Sequence, residues 1–129
     1  VEVRIIVDTN RYRDFCAGVV EAVECFQTAE QISIPFVTIA ELRAGFLAGT
    51  AGKRNAQVLS TFLNRARVRI LWPDEETTHQ YARIWLQLRR QGTPVPTNDL
   101  WIAALALQHN MALFSRDGHF DHLAQLPRV

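Results

Sequence analysis

The hydrophobic positions of this chain fall into short blocks that alternate between two periods. Val3–Val7 is a compact apolar run rich in β-branched residues, which predicts a buried strand. Phe15–Ala29 spaces Val19, Val20, Val23 and Phe26 at helical intervals. Ile32–Ile34 predicts a second strand, ended by Pro35. Phe36–Ala48 predicts a helix closed by Gly49, and Lys53–Arg65 predicts another. Val68–Leu71 predicts a third strand, stopped by Trp72-Pro73. Asp74 is placed to cap a long helix reaching about Arg90. Glu75 and Glu76 fall in its first turn and Arg89 and Arg90 in its last, the order a helix dipole favours. Gly92-Thr93-Pro94-Val95-Pro96 has loop composition. Asp99–His109 predicts a helix that is apolar almost all round and therefore buried. Met111–Phe114 predicts a fourth strand, and a short tail follows Asp117.

Short strands alternating with helices imply an α/β fold, with a central parallel sheet flanked by helices on both faces. In such sheets ligands bind beyond the C-terminal ends of the strands, where strand order reverses. The residues directly after strands therefore matter most. Two of them are acids, Asp8 after the first strand and Asp117 after the fourth.

Composition narrows the classes. At 129 residues the chain is read as one domain spanning 1–129. With 48% hydrophobic residues and a net charge of +1, disorder is excluded. The uncharged stretch Leu100–Ser115 still holds Gln108, His109 and Asn110, and falls short of the ~20 apolar residues a membrane span needs. Ile5–Val7 is too short for a signal peptide, and Asp8 closes it. Of the 14 basic residues only Lys53 is a lysine. Arginine pairs bidentately with phosphate or carboxylate, so a nucleic-acid partner is permitted but not required. Cys16 and Cys25 fall in one predicted helix, about 13 Å apart along its axis and on opposite faces, beyond disulfide reach. That suits a reducing compartment, hence a cytoplasmic location.

Four acids carry the candidate chemistry, and each also has an ordinary structural role open to it. Asp8-Thr9-Asn10 has turn chemistry. Glu41 shares a helical stripe with Val37, Ala44 and Ala48, so it either lies on a packed face, where it needs a partner or a ligand, or sits at the edge of that face, reaching water or an arginine such as Arg43. Asp99 suits a helix's first turn, where Thr97 or Asn98 is free to act as the cap. Asp117 lies in a turn beside Gly118. Gathered at one mouth of the sheet, these carboxylates would raise one another's pKa unless a cation neutralised them. Oxygen ligands without cysteine, and with no obvious histidine partner, point to Mg2+ or Mn2+. Such ions suit phosphodiester chemistry.

In these segments the chain resembles the PIN-domain ribonucleases, most closely the VapC toxins of bacterial toxin–antitoxin pairs. The matching stretches are Ile5-Ile6-Val7-Asp8-Thr9-Asn10, Val37-Thr38-Ile39-Ala40-Glu41-Leu42-Arg43-Ala44-Gly45, Asn98-Asp99-Leu100-Trp101-Ile102-Ala103-Ala104 and Ser115-Arg116-Asp117-Gly118-His119-Phe120. They run over essentially the whole chain, with the four acids in the family's order. The resemblance implies that Asp8, Glu41, Asp99 and Asp117 bind one or two Mg2+ or Mn2+ ions and position the attacking water. It implies endonucleolytic RNA cleavage leaving a 5′-phosphate. Thr9, Asn10 and Ser115 are expected to hydrogen-bond the carboxylates or the scissile phosphate. A homodimer and a cognate antitoxin, whose C-terminal segment fills the toxin groove, are the partners implied. The chain departs from the pattern at Arg11-Tyr12-Arg13, where many relatives carry an aliphatic residue.

Arg11, Arg13, Arg43 and Arg116 lie within a few residues of an acid, so they either contact RNA phosphates or pair with those acids. Tyr12 has packing as its expected role, ahead of base stacking. His119-x-x-His122 is expected in a surface turn rather than as a ligand pair. Trp85 and Trp101 sit in apolar helical stripes of the core or a dimer interface. A phosphatase with an aspartyl nucleophile would carry a second Asp where Asn10 stands and a Lys late in the chain. A receiver domain needs the same Lys, so neither fits. The remaining alternative is a non-cleaving PIN-like domain that binds RNA or protein.

Overall fold

The computed structural model describes residues 3–129. Four strands, β1 (Arg4–Val7), β2 (Gln31–Pro35), β3 (Val68–Leu71) and β4 (Ala112–Phe114), form one sheet in the order β3-β2-β1-β4. Every strand pair is parallel; Ile5 pairs with Ile32, Ile32 with Val68 and Val7 with Phe114. The helices are α1 (Thr9–Cys16), α2 (Val20–Thr28), α3 (Phe36–Ala48), α4 (Gly52–Leu63), α5 (Glu75–Gln91) and α6 (Thr97–His109). The fold is thus α/β, a parallel sheet between helical layers.

The alternation of side chains along each strand divides the core in two. Ile6 and Leu113 face one side and pack with Ile84 and Leu88 of α5 and with Ile102, Ala103 and Leu105 of α6. Ile5, Val7 and Phe114 face the other, against Tyr12 of α1, Phe26 of α2 and Leu59 and Phe62 of α4. Helix α3 serves both layers, with Val37 in the first and Ile39 and Leu42 in the second. As its composition predicts, α6 is buried nearly all round, from Leu100 through Ala106 apart from Trp101.

Strand order positions the site. The chain builds from β1 to β2 to β3 in one direction, then α5 and α6 return it to β4 on the opposite side of β1. The order therefore reverses between β1 and β4, where an open parallel sheet leaves a crevice. Asp8 and Asp117 follow the two strands that flank it.

The largest departure from the sequence-based expectation is at the N-terminal helical region. Asp8 is extended, and its side chain accepts the Thr9 N–H at 2.8 Å, so α1 starts directly after β1. A single helix over Phe15–Ala29 does not form, because Gly18 takes a left-handed φ of 77° and separates α1 from α2. Cys16 and Cys25 therefore lie in different helices, and the one-helix argument against their pairing does not hold. Both are free, Cys16 exposed and Cys25 half-buried.

Two further segments differ. Helix α6 starts at Thr97, with Pro96 at the N-cap position and no side-chain capping bond. Neither Thr97 nor Asn98 caps it, and Asp99 lies within the first turn. The tail is not featureless: Gly118–His122 forms a short 3-10 helix, and the terminal residues return to β4. The Leu113 N–H donates to the Pro127 carbonyl at 2.8 Å, and the Val129 N–H to Leu113 at 3.0 Å, which covers the β4 edge. The α5 cap is as expected, with Asp74 accepting the Thr77 N–H at 3.2 Å and Thr77 Oγ1 accepting the Asp74 N–H at 2.9 Å. Among the described residues, no helix is long and apolar enough to cross a membrane.

Candidate active site

Asp8 is nearly buried at the end of β1. Its Oδ2 accepts from Ser115 Oγ at 2.7 Å and from Asn10 Nδ2 at 3.5 Å. Ser115, the residue after β4, also accepts the Asp117 N–H at 3.0 Å. Asn10 Oδ1 accepts the Arg116 N–H at 3.1 Å. These bonds tie the ends of β1 and β4 together and fix the segment that carries Asp117.

Glu41 comes from α3. The buried Thr38, one helical turn earlier, donates to the Val7 carbonyl at 3.2 Å and docks α3 on the end of β1. Glu41 Oε2 accepts from Thr9 Oγ1 at 3.1 Å, and Oε1 from Asn98 Nδ2 at 3.2 Å. Its carboxylate therefore lies between the neighbours of Asp8 and Asp99. The stripe read as packed is not: Val37 is buried, but Ala44 and Ala48 are exposed and Glu41 is half-buried. Beyond Glu41 helix α3 keeps only its opposite face in the core, through Leu42 and Phe46, so Glu41 sits at the rim of the crevice.

Asp99 and Asp117 meet a residue that the sequence placed elsewhere. His119 Nδ1 lies 2.9 Å from Asp99 Oδ2 and 3.0 Å from Asp117 Oδ1. The His119 backbone N–H also donates to Asp117 Oδ1, at 2.9 Å. One ligand atom from each of Asp99, Asp117 and His119 lies within 4.8 Å of the others. Asp8 and Glu41 stand outside this tightest group. His119 is thus part of the acidic cluster, whereas His122 is exposed and engages Gln91 only through its carbonyl.

The electrostatics follow from burial. Desolvation, then the Asp117 charge and more weakly that of Asp8, pushes the Asp99 carboxyl up to about 6, against the opposing His119 hydrogen bond. The Asp99 hydrogen bond and the Asp117 charge raise the His119 imidazole above its ordinary value. Negative charge gathers here faster than side chains compensate it. Asp8, Asp99 and Asp117 are oxygen donors of the hard type that Mg2+ or Mn2+ takes, so the donor set fits such an ion.

The family model for the PIN domain matches residues 4–126. The chain belongs to the PIN-domain family. It is 34% identical over 94 residues to Ribonuclease VapC5 of Mycobacterium tuberculosis, covering 73% of this chain and 70% of that protein. It is 32% identical over 131 residues to the plasmid stability protein StbB of Pseudomonas syringae pv. tomato, covering 91% of each. The crystal structure of VapBC-5, a toxin–antitoxin system of M. tuberculosis, superposes with a TM-score of 0.73 at 30% identity, over 98% of this chain and 99% of that one.

Around the site of this PIN domain the arginines divide. Arg11 is 8% exposed, pairs with Asp14 at 3.2 Å and Glu21 at 3.1 Å, and stacks on Phe114. Its guanidinium is committed to pairs within the scaffold. Arg116 forms a fork on Asp14, Nε to Oδ2 at 2.7 Å and the terminal nitrogen to Oδ1 at 3.1 Å, and stays half-exposed. Arg13 and Arg43 are exposed. Tyr12 is buried against Phe62, as expected for a packing residue.

Asp14 and Thr38 are site residues that sequence reasoning did not single out, while Asn98 was read as a helix cap and His119 as part of a surface turn. Asp14 anchors Arg116 and hence the loop between Ser115 and Asp117. The Arg116 hydrogen bond, with Arg11 adding to it, holds the Asp14 carboxyl below its ordinary value. A depressed carboxyl stabilises the fold at pH above its unfolded value and loses that contribution as pH falls through the folded one. Asp14→Asn is expected to lower stability at neutral pH by about 2 kcal/mol, because the nearly buried Arg11 keeps only Glu21. The difference from wild type should shrink as pH drops below about 4. Urea midpoints at pH 7 and pH 3 measure it.

Proposed function

We propose that this chain is an endoribonuclease that depends on Mg2+ or Mn2+, hydrolyses RNA phosphodiester bonds, and acts as the toxin of a bacterial toxin–antitoxin pair. The observation that carries the reading is the meeting of Asp99 and Asp117 with His119 beside the strand-order reversal, where burial and the charges of Asp117 and, more weakly, Asp8 push the Asp99 carboxyl up to about 6. Relatives named as VapC ribonucleases and VapBC toxin–antitoxin structures support it.

In this reading Asp8, Asp99 and Asp117 bind the ion, and Glu41 contributes from the rim. A divalent ion bound there supplies Lewis-acid stabilisation of the phosphate and acidifies water. Ser115 fixes the Asp8 carboxylate, and Thr9 and Asn98 fix that of Glu41. Each Glu41 oxygen keeps a lone pair beyond these bonds, enough to orient a water and accept its proton. Arg13 and the open side of Arg116 face solvent and take the RNA phosphates. Asn10 and Arg11 act on the scaffold. A cognate antitoxin and a second copy of the chain are the protein partners, and the cytoplasm is the location. A PIN-like domain that only binds RNA or protein has no use for the cost of crowding these carboxylates.

Structured RNA incubated with the protein should be cut in Mg2+ or Mn2+, left intact in EDTA, and cut again when the ion is restored. Mapped ends should carry 5′-phosphates. Cleavage that persists in EDTA would overturn the metal-dependent mechanism.

A further inference from the structure

We propose that His119 Nδ1 is itself a ligand of the ion held by Asp99 and Asp117, so that the site has a mixed nitrogen–oxygen donor set and binds Mn2+ in preference to Mg2+. The inference rests on the metal-dependent reading above and adds an imidazole to its acids.

Spacing is the first ground. Nδ1 lies 2.9 Å from Asp99 Oδ2 and 3.0 Å from Asp117 Oδ1. In a six-coordinate shell with bonds of about 2.1 Å, adjacent ligand atoms are ~3 Å apart. Both separations from Nδ1 are therefore those of adjacent ligand atoms in such a shell, and the three donors lie within 4.8 Å of one another. A neutral ring with its proton on Nε2 leaves the Nδ1 lone pair free to bind the ion in place of its contact with Asp99.

Rigidity is the second ground. The ring is tied through its own backbone, whose N–H donates to Asp117 Oδ1 at 2.9 Å. The next residue, Phe120, is buried in the core and anchors the 3-10 turn. The far side of the imidazole is open, with His119 48% exposed at its side chain, so Nε2 can keep its proton in water. Among the described residues, no other group of three His, Cys, Asp or Glu side chains comes together in this way.

Donor chemistry sets the selectivity. Imidazole nitrogen suits transition metals, whereas Mg2+ favours carboxylate and water oxygen. A ring that only oriented the two carboxylates from outside the shell would affect both ions alike.

Pulsed EPR of Mn2+ bound to the whole protein, with calorimetric titration of Mn2+ and Mg2+, separates these cases. Wild type should show the 14N coupling of a directly coordinated imidazole, and His119→Gln should lose it. The variant should bind Mn2+ about tenfold or more weakly, with Mg2+ affinity changed less than about threefold. Wild type that binds Mn2+ without 14N coupling, or a variant that loses both ions equally, overturns the inference and leaves the acidic site standing. Wild type that binds neither ion overturns the metal-dependent reading as well.

Discussion

Asp8→Asn is expected to reduce RNA cleavage by roughly 10³-fold and to leave the fold intact. The substitution removes one negative charge and the two bonds that Oδ2 accepts, and keeps the cap. Asn is as good a helix N-cap as Asp, so the bond from the Thr9 N–H at 2.8 Å survives. Ser115 Oγ, which donates to Asp8 Oδ2 at 2.7 Å, loses its acceptor there, as does the weaker Asn10 Nδ2 donor at 3.5 Å, and both rearrange at the partly open rim. The melting temperature should therefore stay within about 3 °C of wild type. Asp8→Ala would confuse the two effects, since losing the cap costs about 1 kcal/mol. Single-turnover cleavage and thermal melting on the same preparation decide the matter. Cleavage within tenfold of wild type would remove Asp8 from the catalytic machinery.

The strands were legible as short apolar runs and the long helices from their charge order, closing residues or, for α6, an apolar composition all round. The four short apolar runs are the four strands, and Asp74 caps α5 where its charge pattern places it. Helix α1 was not legible for a specific reason. It is eight residues long, and its buried positions are Thr9, Arg11 and Tyr12, two of them polar. No hydrophobic stripe announces it, and Asp-Thr-Asn has the chemistry of a turn as well as of a cap. The chain uses Asp8 for both, ending a strand and starting a helix on one residue.

The site was legible as a set of acids and illegible as a geometry. The alternation of strands and helices brings Asp8 and Asp117 to adjacent strand ends, and the structure places them there. Glu41 shows the limit of a helical stripe: alanines at i+3 and i+7 suggest a packed face, yet they are exposed because the second half of α3 packs through Leu42 and Phe46 on another face. His119 and Asp14 depend on segments more than 15 residues away in sequence, Asp99 and Arg116, so no local pattern reveals them. The one local clue to His119 is its position two residues after Asp117. A carboxylate capping a turn receives that residue's N–H and keeps its side chain close.

The metal-free protein should lose stability as pH rises from about 4 to 8, and a divalent ion should restore it. Asp99 is the main cause. Its carboxyl moves from an ordinary 3.8 to about 6 in the folded state, so the native protein holds a proton that the unfolded chain has released. A group with a raised folded pKa stabilises fully below its unfolded value, and that stabilisation is gone once pH passes the folded one. For Asp99 the window runs between those two values. His119, also raised, works in the same direction at higher pH. Asp14 works in the opposite direction on the acid side, where its depressed carboxyl is finally protonated. The maximum therefore lies in mildly acidic solution. The Asp99 share is on the order of 3 kcal/mol, or several degrees in melting temperature for a domain of this size. Saturating Mn2+ or Mg2+ binds the charged form of the site and opposes the fall, by about 2.7 kcal/mol at a hundred times the Kd. Asp99→Asn has no carboxyl to titrate, so its metal-free melting profile should be flatter than wild type across pH 4–6 and less responsive to the ion. A wild-type profile that stays level or climbs over that interval without metal would mean that Asp99 is compensated within the protein. The crevice would then have no electrostatic need for a cation.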